Sequence, residues 1–173
     1  MNKRKVEIKW WKRFTQELFD PISLGHIDII KRSLKFCEQL IIAVGNNSAK
    51  KTMFSSDKRV EMIHKSIDEI SLGVPIAVVR FDELLANLAD RIGANILIRG
   101  IRSVSDFEYE INLANLNKIL APNVETVFLP TSPELCFISS SAVKEIAKYG
   151  GDTSKFVSPY VAEKIKNKIA RSA

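Results

Sequence analysis

From about residue 39 onward, short and nearly continuous apolar runs alternate with stretches of helical periodicity, and this alternation restricts the chain to one broad architecture. Candidate strands cover residues 39–45, 75–81, 95–99 and 125–129. Each is rich in Val, Ile, Leu or Phe along its whole length, as a strand covered on both faces requires. Helical patterns occupy residues 26–36, 57–70, 83–92, 106–120 and 142–149, and a last helix covers 159–169. Parallel strands joined by helical crossovers give a doubly wound, Rossmann-like α/β sheet with helices on both faces. Such sheets bind ligands beyond the carboxyl ends of their strands. Residues 46–51, 99–102 and 130–141 each follow a candidate strand and are therefore the places to look for chemistry.

No repeat, low-complexity tract or linker interrupts the 173 residues, which we read as a single domain with an atypical segment at residues 1–18. No apolar run approaches the roughly 18–20 residues needed to span a bilayer. Polar residues and Trp10-Trp11 stand where a signal peptide needs its apolar core, so the expected location is the cytoplasm. Cys37 and Cys136 have the spacing of neither a zinc site nor a disulfide framework; we expect reduced thiols and no protein metal site. The net charge of +6 suits nucleic acid, an anionic membrane or a phosphorylated small molecule. Much of the excess lies at the two ends, and the basic residues are not interleaved with aromatics on one face. Neither nucleic acid nor membrane is therefore expected as a partner.

Five motifs carry the functional reading. Phe19-Asp20-Pro21-Ile22-Ser23-Leu24-Gly25-His26 sets a Pro-bearing turn and a glycine before a helix, so that His26 and free N–H groups can face one anion. Gly25-His26 alone describes only a capped helix start; the whole octet points to a phosphate site. Lys50 and Lys51 precede Met53-Phe54 and a helix cap, and read by themselves as an exposed charge pair. Leu97-Ile98-Arg99-Gly100-Ile101-Arg102 ends an apolar strand with two guanidinium forks and a glycine that lets backbone approach a ligand. In Asp106-Phe107-Glu108-Tyr109-Glu110 the first two carboxylates suit a helix start, which leaves Glu110 as the functional candidate. Phe137-Ile138-Ser139-Ser140-Ser141 leads into a helix and reads either as a hydroxyl cap or as a triphosphate cradle.

In order and spacing these motifs, from Phe19 to the last helix, resemble phosphopantetheine adenylyltransferase. The resemblance implies transfer of AMP from Mg²⁺-ATP to 4′-phosphopantetheine, with Mg²⁺ accompanying the nucleotide, by a homohexamer in coenzyme A synthesis. It implies that His26 stabilises the pentacoordinate α-phosphate and that Lys50 and Arg99 hold the acceptor phosphate. ATP would lie against Phe19, Gly100, Ile101, Arg102, Glu110 and the run Cys136, Phe137, Ile138, Ser139, Ser140 and Ser141. Leu18 and Leu85, with Asn87, would line the acceptor side. The rival readings are a nucleotidyltransferase for another acceptor, such as nicotinate mononucleotide or glycerol phosphate, and a copy that binds nucleotide or coenzyme A without turnover.

The chain departs from the family immediately before Phe19, where Phe14-Thr15-Gln16-Glu17-Leu18 replaces the family's Ile/Val-Tyr-Pro-Gly-Thr. Glu17 brings negative charge where glycine allows close approach, and Leu18 removes a hydroxyl; both changes oppose phosphate binding. The codons ATT TAC CCA GGA ACT, which encode the family pattern, read one base later as TTT ACC CAG GAA CTT, and so yield Phe-Thr-Gln-Glu-Leu. We read the segment as the product of two compensating frame changes, one upstream of Phe14 and one near Phe19, either in the gene itself or in its recorded sequence. Codons in the gene that cannot yield the family motif in the neighbouring frame would disprove this.

Overall fold

The computed structural model describes residues 12–37, 39–46, 51–68 and 75–171. Strands β1 (Arg13–Glu17), β2 (Leu40–Gly45), β3 (Ile76–Phe81), β4 (Ile96–Ile101) and β5 (Glu125–Pro130) form one parallel sheet in the order β3-β2-β1-β4-β5. The helices are α1 (Leu24–Ser33), α2 (Ser56–Asp68), α3 (Leu85–Ile92), α4 (Val104–Leu120), α5 (Ser140–Lys148) and α6 (Pro159–Ala170). They cover both faces. Ile42, Val44 and Ile98 pack with residues of α1, α2, α5 and α6, whereas Phe14, Ile41 and Leu97 pack with Leu88 and Ala89 of α3. No helix among the described residues is long and apolar enough to cross a membrane.

Four strands lie where the periodicity predicts them. The fifth, β1, comes from the atypical segment and takes the centre of the sheet. Its register runs from Arg13↔Leu40 to Glu17↔Val44 on one side and from Arg13↔Ile96 to Thr15↔Ile98 on the other. Backbone pairing is indifferent to side-chain identity, and the period of two still places one large apolar group correctly. Phe14, fully buried, joins the α3 face. Thr15 and Glu17 point to the opposite face, where they border a cavity beside α1.

The chain runs outward from β1 to β2 and β3, then returns to the other flank of β1 as β4. This reversal is the switch point of a doubly wound sheet. Pairing of β1 with β4 stops at Thr15↔Ile98, two residues short of the last β1–β2 pair, so a crevice opens there at the carboxyl ends.

Several boundaries differ from the sequence reading. Strand β4 continues through Gly100 and Ile101, because both keep their ladder with β5. Helices α4 and α5 begin two residues earlier than expected, since Ser103 Oγ accepts the Asp106 N–H at 3.2 Å and Ser139 Oγ accepts the Ala142 N–H at 3.0 Å. Helix α1 also starts early, at Leu24, and its last expected turn is a 3₁₀ turn at Leu34–Phe36. Helix α3 starts late, leaving Glu83 outside it and 2.7 Å from Arg91. Ile70 and the Trp10-Trp11 pair lie outside the described residues.

Candidate active site

His26 stands in the first turn of α1, and its half-buried ring is fixed at Nδ1 by Ser23. The Ser23 N–H donates to Nδ1 at 3.0 Å, and Ser23 Oγ lies 2.9 Å from the same nitrogen. Nδ1 must then be the acceptor, which puts the ring proton on Nε2. Burial is the main cause of a lowered pKa, and Arg102 and Arg99 push in the same direction against the nearby Glu17 carboxylate. The group is a neutral imidazole offering one N–H. Phe19 meets it edge-on, with ring centroids 5.1 Å apart. Phe19 adopts φ 50, a left-handed conformation that costs a bulky residue roughly 1–2 kcal/mol, and it is held there by burial.

A cavity of about 330 Å³ joins His26 to Arg102, Glu110, Ser139, Ser140 and Ser141. The serine run enters it as the start of α5, whose first-turn N–H groups have no intrahelical carbonyl partner. Ser139 caps that helix, and Ser140 Oγ donates to the Pro21 carbonyl at 2.8 Å, tying α5 to the turn after β1. Arg102 is oriented by Asp106, which accepts from its Nε at 2.8 Å and its Nη2 at 3.1 Å. Gly100 borders the same cavity, but the room left by its missing Cβ is filled from α1: an added Cβ would stand 2.9 Å from Ile29 Cγ1. The glycine thus serves close helix–strand packing.

Arg99 projects into a second cavity, of about 650 Å³, beside the β1–β4 crevice. Its Nε and Nη2 form a fork on Glu110 at 2.7 and 2.5 Å, and Nη2 lies 3.0 Å from Glu17 Oε1. Nη1 donates to the Gln16 carbonyl and lies 3.4 Å from Gln16 Oε1. A third cavity, of about 430 Å³, is bordered by His26, Leu18, Lys51, Ser140 and Lys144.

The structure therefore brings Leu18, Phe19, His26, Arg99, Gly100, Arg102, Glu110, Ile138 and the three serines to three cavities that share lining residues. It does not bring Leu85, Asn87, Ile101, Cys136 or Phe137 to these three. Leu85 packs on the Phe14 cluster, Ile101 ends β4, and Phe137 is 65% exposed. Lys50 lies outside the described residues. Sequence reasoning missed how the site is framed. Asp20, 3% exposed, accepts the N–H groups of Met53 at 2.8 Å and Phe54 at 3.0 Å and the Lys144 ammonium at 2.9 Å. The buried Arg59 donates to the carbonyls of Leu18 at 2.5 Å and Gly45 at 2.8 Å, bridging β1 and β2 at their carboxyl ends. Asp20 was legible within its octet; its partners, up to 124 residues distant, were not.

A helix N-terminus, a neutral histidine and convergent arginines at the switch point of a parallel sheet define a nucleotide-binding α/β protein of the nucleotidyltransferase type. The cytidylyltransferase-like family model matches residues 18–146. The fold is shared with a nicotinic acid mononucleotide adenylyltransferase of Plasmodium falciparum. That match has a TM-score of 0.67 and 15% identity, and covers 90% of this chain and 94% of the other. A phosphopantetheine adenylyltransferase of Rhodospirillum centenum is 47% identical over 154 residues, covering 88% of this chain and 84% of the relative. One of Caldanaerobacter subterraneus is 46% identical over 155 residues, covering 89% and 94%. The chain belongs to the phosphopantetheine adenylyltransferase family.

Proposed function

We propose that this chain transfers AMP from Mg²⁺-ATP to 4′-phosphopantetheine, giving 3′-dephospho-coenzyme A and pyrophosphate, in the cytoplasm. The observation that carries the reading is His26. Its Nδ1 is committed to Ser23, so Nε2–H is the donor it offers, and it borders both the serine-run cavity and the Lys51–Lys144 cavity. A phosphate oxygen of the acceptor attacks the α-phosphorus in line, and the bond to pyrophosphate breaks as the new P–O bond forms. The nucleophile is already ionised, so the protein's task is to position the reactants and stabilise charge, not to supply a strong base. The His26 Nε2–H, Arg102 and the Ser140 and Ser141 amides at the start of α5 are the donors for that charge.

We extend the proposal to a homohexamer. Helix α4 buries none of its residues, and Val104, Tyr109, Leu116, Ile119 and Leu120 are each more than half exposed along it. An apolar surface of this kind supports self-association.

Glu17 on Arg99 favours a second reading, a copy that binds nucleotide or coenzyme A without turnover. Pyrophosphate release with Mg²⁺-ATP and 4′-phosphopantetheine, measured beside a Glu17→Gly, Leu18→Thr variant, separates the two. Comparable rates support the enzyme as it stands. Turnover by the variant alone identifies the β1 loop as the defect, and turnover by neither rejects the assigned acceptor.

A further inference from the structure

Arg99 carries five N–H groups, and five contacts to oxygens of its own chain surround it: two from Glu110, one from Glu17 and two from Gln16. Among the described residues one guanidinium thus faces two carboxylates, so Arg99, Glu17 and Glu110 together sum to a net negative charge. A phosphate can reach Arg99 only by replacing one of these oxygens. The two carboxylates are not equally held. Glu110 forms a bidentate fork and its side chain is 12% exposed, whereas Glu17 makes a single contact and is 41% exposed. Glu17 is therefore the group that can leave. Among the described residues it is also the one that lines all three cavities, and it ends β1 at the crevice.

We propose that Glu17 is a resident carboxylate ligand of Arg99 which the acceptor's phosphate must displace, making Glu17 the residue that sets affinity for the phosphate end of the acceptor. The inference rests on the acceptor reading above for the identity of the ligand, but not for the competition itself. Exchange of Glu17 for a phosphate restores the contact on Nη2, and the released carboxylate turns to solvent. Its residual repulsion weakens every anion bound at Arg99 and leaves neutral ligands untouched.

The test is calorimetric binding to the full chain and to Glu17→Gln, Glu17→Gly and Glu17→Asp, with α,β-methylene-ATP present throughout to occupy the nucleotide side. Inorganic phosphate, 4′-phosphopantetheine and pantetheine are the probes. Removing the charge should tighten both phosphate-bearing probes about tenfold, the equivalent of one charge-assisted hydrogen bond regained. Pantetheine should change less than about twofold, and Glu17→Asp should bind like the parent. Reading Gln and Gly together guards against a folding defect in one of them. Unchanged phosphate affinity in both, or an equal gain for pantetheine, overturns the proposal. If inorganic phosphate tightens while 4′-phosphopantetheine binds no form, the competition stands and the acceptor reading fails. Equal binding of 4′-phosphopantetheine to parent and variants gives the converse.

Discussion

Replacing Asp20 by asparagine tests how the turn after β1 is held to the segment that precedes α2. The carboxylate offers one oxygen to Phe54 N–H and the other to Met53 N–H and Lys144. Asparagine has the same shape but a single acceptor oxygen, so in either flip one backbone N–H faces an NH₂ group. With that oxygen placed toward Met53 and Lys144, the Phe54 N–H, which is the buried bond, loses its partner. An unsatisfied buried donor costs about 1–3 kcal/mol, and the two remaining bonds lose their charge assistance. The sum is about 3 kcal/mol. In a domain of this size that lowers Tm by roughly 6–12 °C. Urea unfolding followed by far-UV circular dichroism measures it directly. A loss below about 1 kcal/mol would show that Asp20 does not carry the tether, and the account of how the Lys51-bearing segment is positioned would fall with it.

His26→Ala should lower turnover by about 10²-fold, the usual effect of removing one such donor, while ATP affinity changes far less; equal losses in both would reject the role. In an NMR titration His26 should show the Nε2–H tautomer and a midpoint below the ordinary 6.5. The unfolded chain then takes up that proton first. The contribution of His26 to stability is thus full above pH 6.5 and is lost as pH falls through the folded value, when Nδ1 protonates and the Ser23 bond breaks. A midpoint above 6.5 would refute this. A Leu116→Glu, Ile119→Glu variant should reduce the solution mass toward the 19.5 kDa of one chain by light scattering, and an unchanged assembly would exclude α4 as the contact.

The parts of the site that were legible in the sequence are those whose chemistry is local. Ser23 lies three residues from His26, and Ser139 lies three residues from Ala142, whose N–H it caps, so the partners of each contact are near neighbours in the chain. Arg99 and Glu110 each stand out in the sequence but their pairing does not, and Gly100, which in the sequence suggests an approach for ligand, makes room for Ile29 instead. Strand β1 was not among the candidate strands because its segment carries Arg13, Gln16 and Glu17 around a single large apolar residue. Its identity as the central strand depends on two flanking ladders that periodicity cannot report.

By itself, then, the sequence determined the parallel α/β class, four of the five strands, the helix-start histidine and serine run, and the presence of a foreign carboxylate before Phe19. Alternation of short apolar runs with helical faces leaves few other folds, and a helix cap needs only neighbours. Only the tertiary structure decided where that carboxylate goes. Arg99 and Gln16 are 83 residues apart, and Asp20 and Lys144 are 124 apart, so chain proximity says nothing of either contact. Closure of the sheet around β1 brings them together, and with them the contact between Glu17 and Arg99.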